Sequence, residues 1–190
     1  QIFISVDTYH AAVAKQAVNA GACIVNDISG GNFDATMHAT VAGLHVPYIC
    51  MHIKGTPANM QYDPVYENVT KEVLDYFIKK IEACKLAGIQ DVIIDPGFGF
   101  GKTIEHNFEL LRNLSVFKML EKPILLGISR KSTIYKTLGL TAEEALNGST
   151  VLHTIGLLNG TTILRVHDVK EAMEAVKLVE AYKKGNRKNI

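Results

Sequence analysis

The sequence predicts an α/β fold on a parallel sheet, and among such folds a (β/α)8 barrel of which this chain supplies about six units. Three observations lead there. Short apolar runs alternate with stretches of helical periodicity. Each apolar run ends in a polar or glycine-containing tip. No G-x-G-x-x-G follows the first run, which disfavours a dinucleotide-binding open sheet. Residues 91–101, DVIIDPGFGFG, show the pattern best. Asp95 stands where a short buried strand ends, Pro96 cannot continue a ladder, and Gly97, Gly99 and Gly101 let the backbone turn. A carboxylate at a strand's C-terminal tip lies where barrels hold their chemistry.

Taken in order, Ile2–Val6 is a strand with Asp7-Thr8 at its tip, and residues 10–20 form a helix stopped near Gly21. Ala22–Val25 leads to Asn26-Asp27, then to a weaker helix over 34–42 ending at Gly43. Pro47–Cys50 leads to Met51-His52. The longest helix follows Asp63-Pro64, a cap-like residue with proline in the first turn. It buries Val69, Val73, Phe77, Ile81 and Cys84 and stops at Gly88. Val92–Ile94 leads to Asp95, with a helix over 104–114 that turns Phe108, Leu111 and Leu114 inward. Pro123–Leu126 leads to Gly127-Ile128-Ser129-Arg130-Lys131, with a short helix after Ser132-Thr133 and another over 142–159 ending near Gly160. Thr162–Leu164 leads to Arg165-Val166-His167-Asp168. The last helix starts at Asp168 with Glu171 in capping-box spacing, buries Val169, Met173, Val176 and Val179, and frays from Lys183 to Asn189. A full barrel takes eight units and about 250 residues. Two units are therefore expected to be missing before Gln1, and residues 1–190 are read as a single partial domain.

Composition narrows the function. A hydrophobic content of 47% builds a core, and a net charge of +1 with dispersed Lys and Arg disfavours nucleic acid. Cys23 and Cys50 on strands and Cys84 on a helix show no pairing or metal-ligand spacing, which points to buried thiols in a reducing compartment. No run approaches transmembrane length and no signal peptide is evident, so a soluble cytoplasmic protein, with neither membrane nor nucleic acid as partner, is expected.

Six tips also carry a resemblance. SVDT at 5–8, AGACIVNDISGG at 20–31, MHIKGTPANMQ at 51–61, DPGFGFGK at 95–102, GISRKS at 127–132 and RVHDV at 165–169 resemble, in order and spacing, dihydropteroate synthase of the pterin-binding barrel group. The resemblance places the chain at units three to eight of that barrel. It implies a transferase of folate biosynthesis that joins 6-hydroxymethyl-7,8-dihydropterin pyrophosphate to p-aminobenzoate, giving 7,8-dihydropteroate and pyrophosphate. It also implies a homodimer, a sulfonamide target and a Mg2+ cofactor, whose protein ligand belongs to the two earlier units rather than to this chain.

The residues suit that chemistry. A carboxylate can take the paired amino and ring N–H of a pterin in a fork, which fits Asp95. Asn26, with donor and acceptor, and Asp7 read further ring atoms, although Asn26 could be a turn residue and Asp7 could cap the helix near His10. Asp27 is read as a loop-ordering residue. By the resemblance, Ile28 and Met51 are expected to line the ring faces and Gly127 to complete the pterin set. Lys131 is expected to donate to the pterin carbonyl and ring nitrogen. Phe100, Lys131 and Ser132 are expected to hold p-aminobenzoate, Ser132 helped by the free N–H groups of a helix start. Arg165 and His167, two apart on one side of an extended segment, suit the pyrophosphate. Asp95, Lys131, Arg165 and His167 form the catalytic set. No residue resembles a covalent nucleophile, so direct displacement or a dissociative path is expected. Arg130 is read as structural or solvent-facing, and His52 and His153 as minor candidates. Three rivals remain at this point: a methyltetrahydrofolate-dependent methyltransferase of the same group, which has no need of GISRKS and RVHDV, a non-catalytic pterin-binding fragment, and a generic phosphate-binding barrel enzyme, which would lack the carboxamide–carboxylate set suited to a pterin.

Overall fold

The computed structural model describes residues 2–185. Six strands run parallel and in chain order: β1 (Ser5–Asp7), β2 (Ile24–Asp27), β3 (Tyr48–Met51), β4 (Val92–Asp95), β5 (Leu125–Leu126) and β6 (Ile163–Leu164). The first four form one sheet and the last two another. A parallel bridge between Ile94 and Ile124, with Ile94 N–H donating to Pro123 O at 3.0 Å, joins the two into one arc. Seven helices return the chain between strands or follow the last one: α1 (Ala11–Asn19), α2 (Met37–Leu44), α3 (Val69–Ala87), α4 (Ile104–Arg112), α5 (Ser132–Leu138), α6 (Leu146–Asn159) and α7 (Val169–Gly185).

Register separates two faces. Asp7 pairs with Asn26, Asn26 with Ile49 and Ile49 with Ile93, and Met51 pairs with Asp95 two residues further along. Side chains alternate along a strand, so Asp7, Asn26, Met51 and Asp95 share one face. Val25, Tyr48 and Val92, with Asp27, Cys50 and Ile94, share the other, which packs on the helices. That second face is the dry core: Tyr48, Phe77, Phe117, Leu110 and Ile94 are fully buried. Each such side chain contributes roughly 1.5–3 kcal/mol relative to exposure.

Several local expectations are corrected. Ladder pairing starts at Ser5, and Ile2, Phe3 and Ile4 are exposed. Cys23 precedes its strand by one residue, and all three cysteines are free. Helix α2 runs through Gly43 to Leu44, and His45 takes the left-handed turn instead (φ 53°). Helix α3 begins not at Asp63-Pro64 but at Asn68, whose side chain accepts the Lys71 N–H at 2.8 Å. Asp63 is itself left-handed (φ 42°), away from the extended backbone that an N-cap residue takes. Helix α4 ends at Arg112, and a 3-10 helix over Leu114–Leu120 that the periodicity did not reveal carries the buried Leu114. Helix α6 starts at Leu146, later than residue 142. At the start of α7 both oxygens of Asp168 accept from Arg130, and no side-chain hydrogen bond between Asp168 and the Glu171 N–H is formed among the described residues. Ala172, Ala175 and Val179 are buried there, whereas Val169 and Met173 are exposed. The expected fraying lies partly outside the described residues, since α7 stays helical through Gly185. Among the described residues no helix is long and apolar enough to cross a membrane.

Candidate active site

The site lies at the C-terminal ends of β2, β4, β5 and β6. A flat sheet would set β2 and β6 roughly 19 Å apart, four strand spacings, too far for one asparagine and one arginine to bridge. Yet Arg165 Nη1, just past β6, donates to Asn26 Oδ1 on β2 at 3.5 Å. Arg165 Nη2 lies 2.9 Å from Asp95 Oδ2 on β4. The arc is therefore curled, and three tips meet across its concave face.

Asp95 is fully buried. Its Oδ1 accepts the Gly97 N–H at 2.8 Å, which fixes the carboxylate plane. Its Oδ2 forms the ion pair with Arg165 but accepts no aligned hydrogen bond from the described residues. A buried carboxylate oxygen normally takes several donors, so this atom keeps acceptor capacity toward the concave face. Asn26 is also buried, and its backbone O accepts the Thr8 N–H at 3.0 Å. Asp27, the next residue, points into the helix layer. It accepts from Ser29 N–H and O–H, Gly31 N–H and Tyr48 O–H, so it orders the loop as read from sequence.

Gly127 has a steric reason. A Cβ there would stand 2.5 Å from Arg165 Nη2, so the absent side chain is what lets the guanidinium lie over β5. Lys131 caps α5, donates to the Phe98 carbonyl and holds its ammonium 4.6 Å from the centre of the Phe100 ring. Burial pushes its pKa down to about 8, with Arg165 adding to the fall and Asp95 opposing it. Ser132 opens α5, half-buried beside Lys131. His167 is exposed, and its Nδ1 lies 3.0 Å from Ser129 Oγ.

Met51 is fully buried on the shared face, and Ile28 is half-buried in the loop that follows β2. Asp7 is the outlier. It shares the face with Asn26 but is exposed, and no hydrogen bond among the described residues engages its carboxylate. It does not cap α1, whose first N–H groups go to Thr8 Oγ1 and Asp34 Oδ2. Arg130 proves structural. Left-handed at φ 52°, it pairs bidentately with Asp168 at 2.8 Å, and its N–H goes to Ser149 Oγ at 2.9 Å. His52 and His153 are buried away from the concave face. Burial first, then Lys102, hold His52 near 2, and burial lowers His153.

Lys102, buried beneath the glycine loop, was not singled out by the sequence, and neither were Gln61, Tyr66 and Asn107, which bind the same loop. A lysine after a glycine-rich turn looks like any solvated lysine. Only its three inward acceptors reveal it. For magnesium, no three of His, Cys, Asp and Glu converge among the described residues, and Asp95 is already paired with Arg165. The residues present do not form a cage for the ion.

Comparison with known proteins gives one consistent result. The family described as pterin binding enzyme matches residues 1–167. The Escherichia coli K12 protein named dihydropteroate synthase is 42% identical over 183 residues, covering 95% of this chain and 64% of that protein. The chain therefore spans just under two thirds of the length of that relative. The Yersinia pestis dihydropteroate synthase solved with a sulfonamide drug superposes with a TM-score of 0.94 at 38% identity, covering 97% of this chain and 68% of the other. The Xanthomonas albilineans enzyme in complex with 7,8-dihydropteroate superposes with a TM-score of 0.88 at 36% identity, covering 96% and 67%.

Proposed function

The chain belongs to the pterin binding enzyme family, and on that premise we propose that it carries the pterin-reading and leaving-group parts of a dihydropteroate synthase. The proposed reaction joins 6-hydroxymethyl-7,8-dihydropterin pyrophosphate to p-aminobenzoate. A C–O bond breaks, a C–N bond forms, the amine loses a proton, and pyrophosphate departs.

One observation carries the reading: Asn26, Asp95 and Arg165 from three strand ends meet on one face, and the buried Asp95 Oδ2 keeps acceptor capacity there. In the proposal Asp95 takes the amino and ring N–H of the pterin, with Asn26 and Asp7 beside it and Met51 and Ile28 against the ring. Lys131 donates to the pterin carbonyl side. Phe100 and Ser132, with Lys131, face p-aminobenzoate. Arg165 and His167 stabilise the charge that develops on the departing pyrophosphate, and Gly127 gives Arg165 its room. The groups are donors and acceptors held in place, with no nucleophile among them, so catalysis is positioning and electrostatics in a direct displacement or dissociative path.

The sulfonamide bound to the Y. pestis relative and the dihydropteroate bound to the X. albilineans one support the aminobenzoate half. By the same reading this chain's site admits sulfonamides. Magnesium binds one or two carboxylates plus substrate phosphates. It is assigned to the pyrophosphate, with its protein ligand outside residues 2–185, and no step here depends on it. The sheet is proposed to be six eighths of a barrel, units three to eight, in a single domain. A homodimer is proposed through the outer face of α6 and α7, where Leu158, Leu178 and Tyr182 are exposed.

Calorimetry with the dihydropterin pyrophosphate tests the assignment. Asp95→Asn leaves the shape but turns one acceptor into a donor, and is expected to weaken binding roughly tenfold or more. Equal affinity in the two proteins would remove Asp95 from the pterin site.

A further inference from the structure

The five carbonyls of residues 97–101 all accept hydrogen bonds from side chains. Lys102 Nζ donates to Gly97 O at 3.0 Å and Phe100 O at 3.1 Å, and Lys131 donates to Phe98 O. Gln61 Nε2 donates to Gly99 O at 2.9 Å, and Tyr66 O–H to Gly101 O at 2.8 Å. A loop of this composition would otherwise turn its carbonyls to water. Lys102 differs from the other donors. It is 4% exposed, has no carboxylate among its hydrogen-bond partners, and gives its third N–H to His52 Nδ1 at 2.9 Å. With Lys102 charged, that bond takes His52 as the neutral tautomer protonated at Nε2. The ammonium thus sits as an internal ion inside a ring of three acceptors, directly beneath the loop that carries Phe98 O and the Phe100 ring.

We propose that Lys102 is a positioning residue for the amine acceptor's half of the site, shaping the 97–101 loop from below so that Lys131 and Phe100 are held against each other. The inference rests on the reading of Lys131 and Phe100 given above, but its geometric content can be tested without either substrate. Gly97, which cannot carry a Cβ because that atom would lie 1.9 Å from His52 O, fixes one end of the loop. Lys102 fixes the path between Gly97 and Phe100. Phe98 O, which anchors the Lys131 ammonium, lies between those two fixed carbonyls. Without the buried cation, Gly97 O and Phe100 O lose a charged donor, and turning either toward water drags Phe98 O off Lys131.

The test is trace labelling of lysines with acetic anhydride, read by mass spectrometry across pH so that exposure and protonation separate. In Lys102→Met, Lys131 is expected to label roughly fivefold faster or more, while the buried thiols of Cys50 and Cys84 stay protected from a disulfide reagent. Protected thiols with a released Lys131 mark a local change, which general loosening of the fold would not give. Lys102→Gln, which keeps two N–H donors, restores part of the protection. Gln61→Ala and Tyr66→Phe remove the outer ties only, and Lys131 stays protected in both. Unchanged Lys131 labelling in Lys102→Met, or a release in Gln61→Ala and Tyr66→Phe, would overturn the proposal. With ligands, Lys102→Met weakens p-aminobenzoate roughly tenfold and leaves the dihydropterin pyrophosphate within about threefold. Equal loss of both also counts against it. Should the unsubstituted chain bind neither ligand, the pterin reading falls, while the labelling result still decides the role of Lys102.

Discussion

Asn26 and Asp27 are neighbours in sequence and face opposite sides of the sheet. One turns to Arg165, the other to Tyr48 and the helix layer. Sequence alone offered both as polar residues after a strand. Strand parity decided between them, and parity could be read once the strand was placed. Lys102 could not be read in that way, because its environment is made by His52, fifty residues away. For Arg165, replacement by Ala in a full-length parent spanning all eight units removes a charge-assisted donor at a developing charge, so turnover there should fall about 100-fold, roughly 3 kcal/mol, with a smaller effect on pterin affinity. A pyrophosphate-release assay beside calorimetry measures both, and unchanged turnover would reject the role. Titration gives a second expectation. Burial lowers Lys102 to about 7 and Lys131 to about 8, from an ordinary 10.5. Above those values the unfolded chain holds more protons than the fold, so stability rises with pH. Burial raises the Cys50 and Cys84 thiols above their ordinary 9.0, so above that pH the unfolded chain sheds protons the fold keeps, and stability declines. Denaturant midpoints should therefore climb from about pH 7 to about 9 and then fall, with most of the climb absent in Lys102→Met. A flat profile would mean that neither ammonium is held as described.

At the level of elements, two glycines separate folding from function. Gly97 is left-handed (φ 71°) and meets the His52 backbone, which cannot yield. Gly97→Ala should cost at least about 2 kcal/mol from backbone conformation alone, before the clash. Gly127 meets only the end of the Arg165 side chain, which can swing away. Gly127→Ala should melt within a few degrees of the parent yet bind pterin poorly, because the guanidinium is displaced from Asp95. Thermal melts and calorimetry on the pair check this, and parent-like pterin affinity in Gly127→Ala would show that the guanidinium's position over β5 does not matter. Strand positions and most helix stops were legible because apolar runs and glycines act locally. The start of α3 was misplaced because Asp63-Pro64 looks like a cap, whereas the turn is set by Asn68 and by Glu72 accepting the Glu67 N–H. The Arg130–Asp168 clamp joins residues 38 apart and left no local sign.

At the scale of the whole fold, the curled arc ends, among the described residues, in two strands each paired on one side only, β1 and β6. Beside the first, Ile2, Phe3 and Ile4 are exposed, and Val169 and Met173 are exposed on the helix after the second. Unpaired edges flanked by apolar side chains template association, so sedimentation of the 190-residue chain should show concentration-dependent self-association that Phe3→Lys reduces. The same opening leaves Asp7 in water, so the chain should bind dihydropterin pyrophosphate weakly and release almost no pyrophosphate, since water is not excluded from the site. Brisk release from protein of verified mass would show that the concave face is better enclosed than this. The two-faced register carries a further consequence, for how such a chain can change its length. Adding a single residue within β2 would carry Asn26 into the helix layer and push Asp27 toward Arg165, and the same slip in β4 would exchange Asp95 for its neighbour. Two added residues would restore the faces but lift the tip by a full pleat, past the reach of its partners on the other strands. Insertions and deletions in functional descendants should therefore fall in the segments between strand ends and helices, with the strands themselves constant in length.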